Sequence, residues 1–200
     1  MTPRGRRPAG SPDAREAILA VARTAFARDG YSTSLRGIAR DAGVDPALVH
    51  HYFPGRAQLF TAAILASPEG QELDAAALID GVRNLPDSKQ GEALVRLFVI
   101  QWDDLGGERF AAVVRAALGD EAIMARIRAM LLAGLVTPVV ARAAPDQADL
   151  RAQLVVSQLV GLGVARWVAR LDAVRTADAE VLAAAVGPTV QRYMTGDLAG

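Results

Sequence analysis

The chain has 200 residues and a formal net charge of zero, and 52% of its residues are hydrophobic. This length allows one large or two small domains, and the hydrophobic share is enough for a substantial buried core. The chain contains no cysteine, which excludes disulfides and thiolate metal sites. No run approaches the roughly 18 uninterrupted apolar residues of a membrane span. We therefore expect a soluble, cytoplasmic protein that does not associate with membranes.

The two ends of the chain differ in charge. Residues 1–60 hold nine arginines and five acidic residues, a net charge of +4, and residues 61–200 carry −4. A basic region joined to an acidic one is typical of a protein that binds a phosphate backbone at one end. Residues 1–10 combine arginine with proline and glycine, which predicts a disordered basic arm. Such an arm could touch DNA or simply be a frayed terminus.

The first predicted helix starts near residues 11–13, with Asp13 as its N-cap, and Gly30 ends it. Its apolar positions Ile18, Ala22 and Phe26 are four residues apart and share one face. A second helix follows after Ser34, with its buried stripe at Leu35, Ile38, Ala39 and Ala42.

A tight turn then leads into a third helix. Gly43 stands where helices commonly end on a left-handed residue. Asp45 is a suitable N-cap and Pro46 suits the first helical position. Val49 and Phe53, four residues apart, are the expected core positions. Two short helices joined by such a turn form the helix-turn-helix of DNA-binding proteins.

The run from Glu16 to Phe60 resembles the N-terminal domain of the TetR family of transcriptional regulators. The resemblance covers Ala22 and Phe26, Gly30-Tyr31, Ile38-Ala39, Ala42-Gly43-Val44 and Tyr52-Phe53 with Arg56 and Leu59. Three departures stand out: His50-His51-Tyr52 replaces the usual aromatic-aromatic-histidine order, Arg56 replaces a lysine, and the turn before Ser34 is about one residue shorter than is common.

The resemblance implies that this domain binds a palindromic operator in double-stranded DNA. Arg36 is expected to reach base edges, since arginine can grip guanine with two hydrogen bonds. Apolar contacts to bases are expected from the start of the third helix, and phosphate contacts from polar residues around it. The base-contacting candidates are Pro46, Ala47 and Leu48, and the phosphate candidates are Ser34, His50, His51, Tyr52 and Arg56. Adjacent helical residues such as His50 and His51 point about 100° apart and cannot share one metal ion.

Past a fourth helix from Gly55 to about Ala66, every signal is helical. The predicted helices cover 71–82, 88–105, 108–118, 120–144, 146–171 and 177–194, with Pro138 kinking the fourth of these. The sequence thus predicts an all-α fold of about nine helices in two domains. A helix-turn-helix domain at 11–67 would be followed by an effector-binding and dimerisation domain at 68–200.

Aromatic, methionine and glutamine residues at helical spacing in the second domain could line a cavity or form core. The resemblance implies a small effector there, and the few polar groups favour a mostly apolar one. The candidate pocket residues are Phe98, Gln101, Trp102, Phe110, Met124, Met130, Gln158 and Trp167. Asp103 and Asp104 are expected to face water.

The last two long helices carry stripes that could pair across a two-fold axis into a four-helix bundle. The candidate dimer residues are Leu150, Leu154, Ser157, Gly161, Ala165, Leu182, Val186, Thr189 and Tyr193. No P-loop, dinucleotide motif or nucleophile elbow occurs, so we expect no enzyme activity, cofactor or metal.

The hypothesis from sequence is a homodimeric repressor released from its operator by a small molecule. Two alternatives stay open at this point. One is a DNA-binding factor without an effector, and the other is a helical adaptor that has lost DNA binding.

Overall fold

The computed structural model describes residues 12–65, 75–144 and 146–198 of the chain. Every regular element in these ranges is helical, which confirms the all-α prediction. The predicted basic arm and the predicted domain boundary at 67–70 lie outside the described residues. The α-helical segments are α1 (Pro12–Asp29), α2 (Leu35–Asp41), α3 (Pro46–Tyr52), α4 (Arg56–Leu65), α5 (Ala75–Arg83), α6 (Asp87–Leu105), α7 (Gly107–Gly119), α8 (Glu121–Ala129), α9 (Thr137–Ala143), α10 (Ala148–Gly163), α11 (Asp172–Thr176) and α12 (Ala179–Thr195), with π-helical segments π1 (Met130–Val136) and π2 (Val164–Val168).

The chain divides into two compact units. The N-terminal unit comprises residues up to 73 together with 112–126, and the C-terminal unit comprises 74–111 and 127–200. The sequence-based division at residue 67 stays a prediction.

The core of the N-terminal unit forms where α1 packs against α4 and α2 packs against α3. Phe26 of α1 meets Phe60 of α4 edge to face, with ring centroids 5.1 Å apart. Among the apolar positions predicted from spacing, Ile18, Ile38 and Leu59 are fully buried, whereas Leu35, predicted to be buried in α2, is half-buried. The helical periodicity of the sequence is therefore enough to identify this core.

The core of the C-terminal unit is centred on an antiparallel crossing of α6 and α12. The two helices approach closely at Gly91 and Gly187: a Cβ atom on Gly91 would lie 2.6 Å from the carbonyl oxygen of Gly187. Apolar side chains from six segments surround the crossing. The buried members are Ile79, Leu94, Val95, Val99, Val136, Val139, Val140, Ala152, Val155, Leu159, Leu182, Ala183, Val190 and Met194.

A buried arginine closes the C-terminal end of α12. Arg151 of α10 is 5% exposed and donates through Nη1 to the carbonyl oxygens of Tyr193 and Gly196. It also pairs with the carboxylate of Asp146 at 3.2 Å. The last carbonyls of a helix lack intrahelical partners, so a guanidinium there satisfies them and complements the helix dipole. Nothing in the local sequence indicates this role.

The helix boundaries differ from the prediction at three places. The predicted helix 120–144 is divided into α8, π1 and α9, because the backbone widens into π turns just before Pro138, which lacks an N–H. The predicted helix 146–171 ends in π2, and α11 follows as a short unpredicted helix. These two changes turn the ten ranges predicted from the sequence into the twelve α-helical segments of the described residues. Asp13 is not an N-cap, because α1 already begins at Pro12.

One helical stretch, Glu121–Arg142, is long and apolar enough by length and composition to cross a membrane. Its most apolar window has a mean hydropathy of 1.7. A core helix of a soluble protein meets the same criterion, and Val136, Val139 and Val140 of this stretch belong to the C-terminal core. The stretch is therefore weak evidence for a membrane span.

Candidate nucleic-acid interface

The first helix of the motif is closed at both ends by local hydrogen bonds. Ser34 is the N-cap of α2, and its Oγ accepts a hydrogen bond from the Gly37 N–H at 3.3 Å. At the other end Gly43 has φ of +68°, its N–H donates to Arg40, and the Val44 N–H donates to Ala39. This pair of bonds is the Schellman arrangement, which needs the left-handed conformation that glycine adopts without strain. The turn predicted at Gly43 is confirmed.

The second helix of the motif begins at once. Asp45 is the N-cap of α3, and its Oδ1 accepts from the Ala47 N–H at 2.9 Å, while Pro46 occupies the first turn. Val49 and Phe53 are each 1% exposed and anchor the inner face. The N-cap, the proline position and both core residues are as predicted. With the inner face fixed, the other face of α3 is left to meet a ligand.

The outer face carries the candidate DNA contacts. Pro46, Ala47, His50 and His51 are exposed on α3, and Leu48 and Tyr52 are half-buried. On the neighbouring elements Ser34 and Arg36 are exposed and Arg56 is half-buried. The accessible residues at the start of α3 are apolar, so base contacts there would be van der Waals contacts, and DNA shape would carry part of the specificity. The roles assigned to these nine residues stay predictions.

Four arginines in and near the motif fall into two groups. Arg28 and Arg40 pair with the carboxylates of their neighbours Asp29 and Asp41, at 2.6 and 2.9 Å. The hydrogen bond from Arg28 holds the pKa of Asp29 below its usual value. Within the described part of the chain, Arg36 and Arg56 form no ion pair with a carboxylate. Their charges are therefore available to attract phosphate.

Arg56 instead lies over an aromatic ring. Its Cζ is 5.7 Å from the centroid of the Tyr31 ring. Tyr31 follows Gly30, which ends the first helix with φ of +70°. The two residues are far apart in sequence, and the spacing of the motif gave no indication of this contact.

In the C-terminal unit, four of the predicted pocket residues meet. The rings of Phe98, Trp102, Phe110 and Trp167 form one cluster, with the closest centroids, those of Phe110 and Trp167, 4.9 Å apart. Two glycines leave room for it: a Cβ on Gly107 would lie 2.3 Å from Trp167, and one on Gly163 would lie 2.3 Å from Phe110. The rings are thus closely packed against backbone, as in a core. No local pattern in the sequence indicates this role for either glycine.

The cluster is held by a partly buried ion pair. Asp103 accepts hydrogen bonds from the Trp167 indole at 2.9 Å and from the Arg166 guanidinium at 2.7 and 3.1 Å. Arg166 also donates to the carbonyl oxygens of Val174 and Ala177. Asp103 is exposed, as expected, but its carboxylate also joins α6 to π2. Asp104 is exposed, as expected.

The other four predicted pocket residues do not belong to this cluster of rings. Gln101, Met130 and Gln158 are half-buried in the C-terminal unit, whereas Met124 belongs to the N-terminal unit. The pocket as a whole stays a prediction. Among the described residues, no three histidine, aspartate or glutamate side chains are grouped as metal ligands.

Most of the candidate dimer residues lie on accessible surface. Leu150 is 49% exposed, Ser157, Gly161 and Thr189 are exposed, and Leu154, Ala165, Val186 and Tyr193 are half-buried. Leu182 is different because its side chain lies inside the core of its own subunit. Its neighbour Val181 is 58% exposed and occupies the accessible side of α12 instead. The dimer face stays a prediction without Leu182.

The fold and the motif together define a helix-turn-helix, DNA-binding transcriptional regulator. Residues 18–63 match the family described as bacterial regulatory proteins, tetR family. Residues 89–194 match the family described as tetracyclin repressor-like, C-terminal domain. The chain belongs to the TetR family.

Individual relatives agree with this assignment. A TetR-family regulator from Streptomyces coelicolor A3 has a solved structure that is 34% identical, covers 95% of this chain and 98% of its own, and superposes with a TM-score of 0.67. The HTH-type transcriptional regulator BetI of Brucella anthropi is 44% identical over 64 residues, which is 31% of this chain and 33% of that relative. The structure of the fatty acid degradation regulator FadR of Bacillus halodurans superposes with a TM-score of 0.61 and covers 90% of this chain and 95% of its own. At 16% identity, this similarity supports only the fold.

Proposed function

We propose that the protein is a homodimeric repressor that binds a palindromic operator and leaves it when a small, mostly apolar effector binds. The observation that carries the proposal is the capped helix α3 with its accessible outer face, together with Arg36 and Arg56, which pair with no carboxylate in the part of the chain that the structure describes. Two such faces in a dimer would enter successive major grooves, about one helical turn apart. We expect the protein in the cytoplasm, where its DNA is, and expect no enzyme activity.

The DNA-binding part is tested with an operator selected from random duplexes. Arg56→Ala is expected to weaken binding to all sequences about equally and to lower the salt slope by roughly one per subunit. Arg36→Ala is expected to relax the preference at one base position, by about 1–3 kcal/mol. Arg40→Ala is the matched control, since Arg40 is already paired with Asp41. If Arg36→Ala changes affinity without changing preference, Arg36 does not read a base.

The dimer part rests on the accessible, apolar sides of α10 and α12. Gly161→Glu would place a charge in the proposed contact and is expected to yield monomers or aggregates that bind operator poorly. Gly81→Glu is the control: Gly81 is also helical, and neither glycine has an atom within 4 Å of a built Cβ. Light scattering and gel shift measure the two effects. A stable Gly161→Glu dimer with normal operator affinity would place the interface elsewhere.

The effector part rests on the aromatic cluster of the C-terminal unit. An effector would bind a conformation of the dimer in which the spacing of the two helix-turn-helix domains does not match successive major grooves. Because it binds this conformation more tightly than the DNA-bound one, it would release the protein from DNA. Trp102 is half-buried at the edge of this cluster, and Trp102→Ala is expected to remove the response while operator binding persists. A thermal-shift screen of apolar compounds finds the ligand. If no compound stabilises a protein that still binds DNA, it acts without an effector.

The remaining alternative is tested by DNA binding itself. Retention on duplex DNA that falls steeply with salt is expected of a protein that contacts phosphates. A folded dimer without such retention would be a helical adaptor rather than a repressor.

A further inference from the structure

The contact between Arg56 and Tyr31 is part of a continuous aromatic row. Tyr31 stands edge-on to Phe60, with centroids 5.3 Å apart and an interplanar angle of 86°. Phe60 in turn stands edge-on to Phe26, and both phenylalanines are 2% exposed. The Tyr31 ring is therefore fixed by the buried core, while its face is directed to the guanidinium of Arg56.

Arg56 needs such support because of its place in the helix. It is the first residue of α4, where the positive end of the helix dipole disfavours a cation. A free arginine also loses considerable rotamer freedom when it is held in one position. The negative face of a tyrosine ring attracts a guanidinium stacked over it and offsets part of both costs.

We propose that Tyr31 is a positioning residue for DNA binding: its ring holds the Arg56 guanidinium in place for a backbone phosphate. The inference rests on the proposed phosphate contact of Arg56 and adds a residue outside the helix-turn-helix to the binding machinery. With Arg56 held beforehand, less side-chain entropy is lost when DNA binds.

The protonation state of Tyr31 fits this role. Burial raises the pKa of Tyr31, the negative charge of Asp120 acts in the same direction, and Arg56 opposes both. The ring therefore stays a neutral phenol at physiological pH. A phenolate would instead bind Arg56 as an ion pair and compete with phosphate.

A double-mutant cycle tests the inference. The probe is a mixed-sequence DNA duplex of about three helical turns, so no operator is needed, and affinity is measured by fluorescence anisotropy over a range of salt. Tyr31→Leu is expected to weaken binding about two- to fivefold when Arg56 is present and to have no further effect in Arg56→Gln. Tyr31→Phe, which keeps the ring, is expected to bind like the unaltered protein. Thermal unfolding of each variant checks that the fold is retained.

A series of fluorinated phenylalanines at position 31 separates ring electrostatics from packing. Each fluorine weakens the negative face of the ring at nearly constant shape, so affinity should fall stepwise with Arg56 present and stay flat with Arg56→Gln. This series carries the test if Tyr31→Leu does not fold.

The outcomes distinguish this inference from the proposed function. If Arg56→Gln leaves both affinity and salt slope unchanged, the phosphate contact itself is wrong. If Arg56→Gln weakens binding but the Tyr31 changes act equally in both backgrounds, Arg56 contacts phosphate and Tyr31 is only structural. That second result would overturn the positioning role.

Discussion

The helix-turn-helix and the crossing of α6 with α12 are stabilised by contacts between residues at very different separations along the sequence. In the first, side chains of Ser34 and Asp45 bond to backbone N–H groups two or three residues away. In the second, the Gly91 N–H donates to Oε1 of Gln191, a hundred residues along the chain, at 2.8 Å. Local hydrogen bonds fix the shape of the helix-turn-helix, whereas long-range contacts fix how the helices of the C-terminal unit pack together.

The largest effect is expected at the helix crossing. Gly91→Ala would place a Cβ atom 2.6 Å from the Gly187 carbonyl oxygen and 2.7 Å from the Gln191 nitrogen, both backbone atoms. The helices would have to separate, at a cost of about 2–3 kcal/mol in the free energy of unfolding. Urea unfolding at one protein concentration measures it.

Gly81→Ala is the matched control for that change. Gly81 lies in α5 with nothing within 4 Å of a built Cβ, so alanine there should stabilise by about 0.5–1 kcal/mol through helix propensity. If Gly91→Ala is as stable as Gly81→Ala, the two helices do not approach as closely as described.

The ion pair at the aromatic cluster is expected to give the next largest effect. Asp103→Asn removes the charge that faces Arg166, whose side chain is 9% exposed, and should cost about 1–3 kcal/mol. Tryptophan fluorescence should change as well, because the Trp167 indole donates to the same carboxylate. Asp104→Asn, one residue along α6 and exposed, should stay within about 0.5 kcal/mol of the unaltered protein. Equal effects at the two positions would contradict the structural role of Asp103.

The same difference in sequence separation explains which features could be predicted from the sequence. Asp45, Pro46 and Gly43 act through bonds to near neighbours, so residue type and spacing were enough to find them. Asp103 and Arg151 act through partners 42 to 64 residues away, and no local pattern marks them.

Where one face of a helix is apolar, the helical periodicity of the sequence predicted which side chains are buried. Val49 and Phe53 are buried as predicted, but Leu182 lies in the subunit core although its stripe suggested an interface. An apolar stripe indicates that a face is covered and does not indicate by which partner. For the same reason the aromatic residues could be grouped from spacing, while their use as a pocket stays a prediction.

The local bonds of the motif are expected to give a smaller change than the contacts above. Asp45→Ala removes the N-cap of α3 and should cost about 1 kcal/mol, with faster amide exchange confined to the motif. Asp45→Asn keeps a capping oxygen and should retain most of that stability. Asp41→Ala, which removes only an exposed ion pair with Arg40, should have a negligible effect. If all three variants exchange alike, the cap does not order α3.

The smallest effect is expected at a surface ion pair across the same crossing. Arg96 of α6 binds both carboxylate oxygens of Glu180 at 2.5 and 2.6 Å, and this hydrogen bonding holds the pKa of Glu180 below its ordinary value of 4.5. A carboxyl whose pKa is lowered by folding stabilises the fold above its unfolded pKa, and it loses that contribution as the pH falls through the folded pKa.

Glu180→Gln should therefore be slightly less stable than the unaltered protein at neutral pH. In acid unfolding experiments the difference should begin to shrink near pH 4.5 and disappear once the pH lies below the folded pKa of Glu180. Because Glu180 is also in the first turn of α12, where the helix dipole favours a carboxylate, the comparison is repeated in Arg96→Gln. Whatever difference persists there comes from the dipole, and a difference unchanged by Arg96→Gln would show that the ion pair contributes nothing.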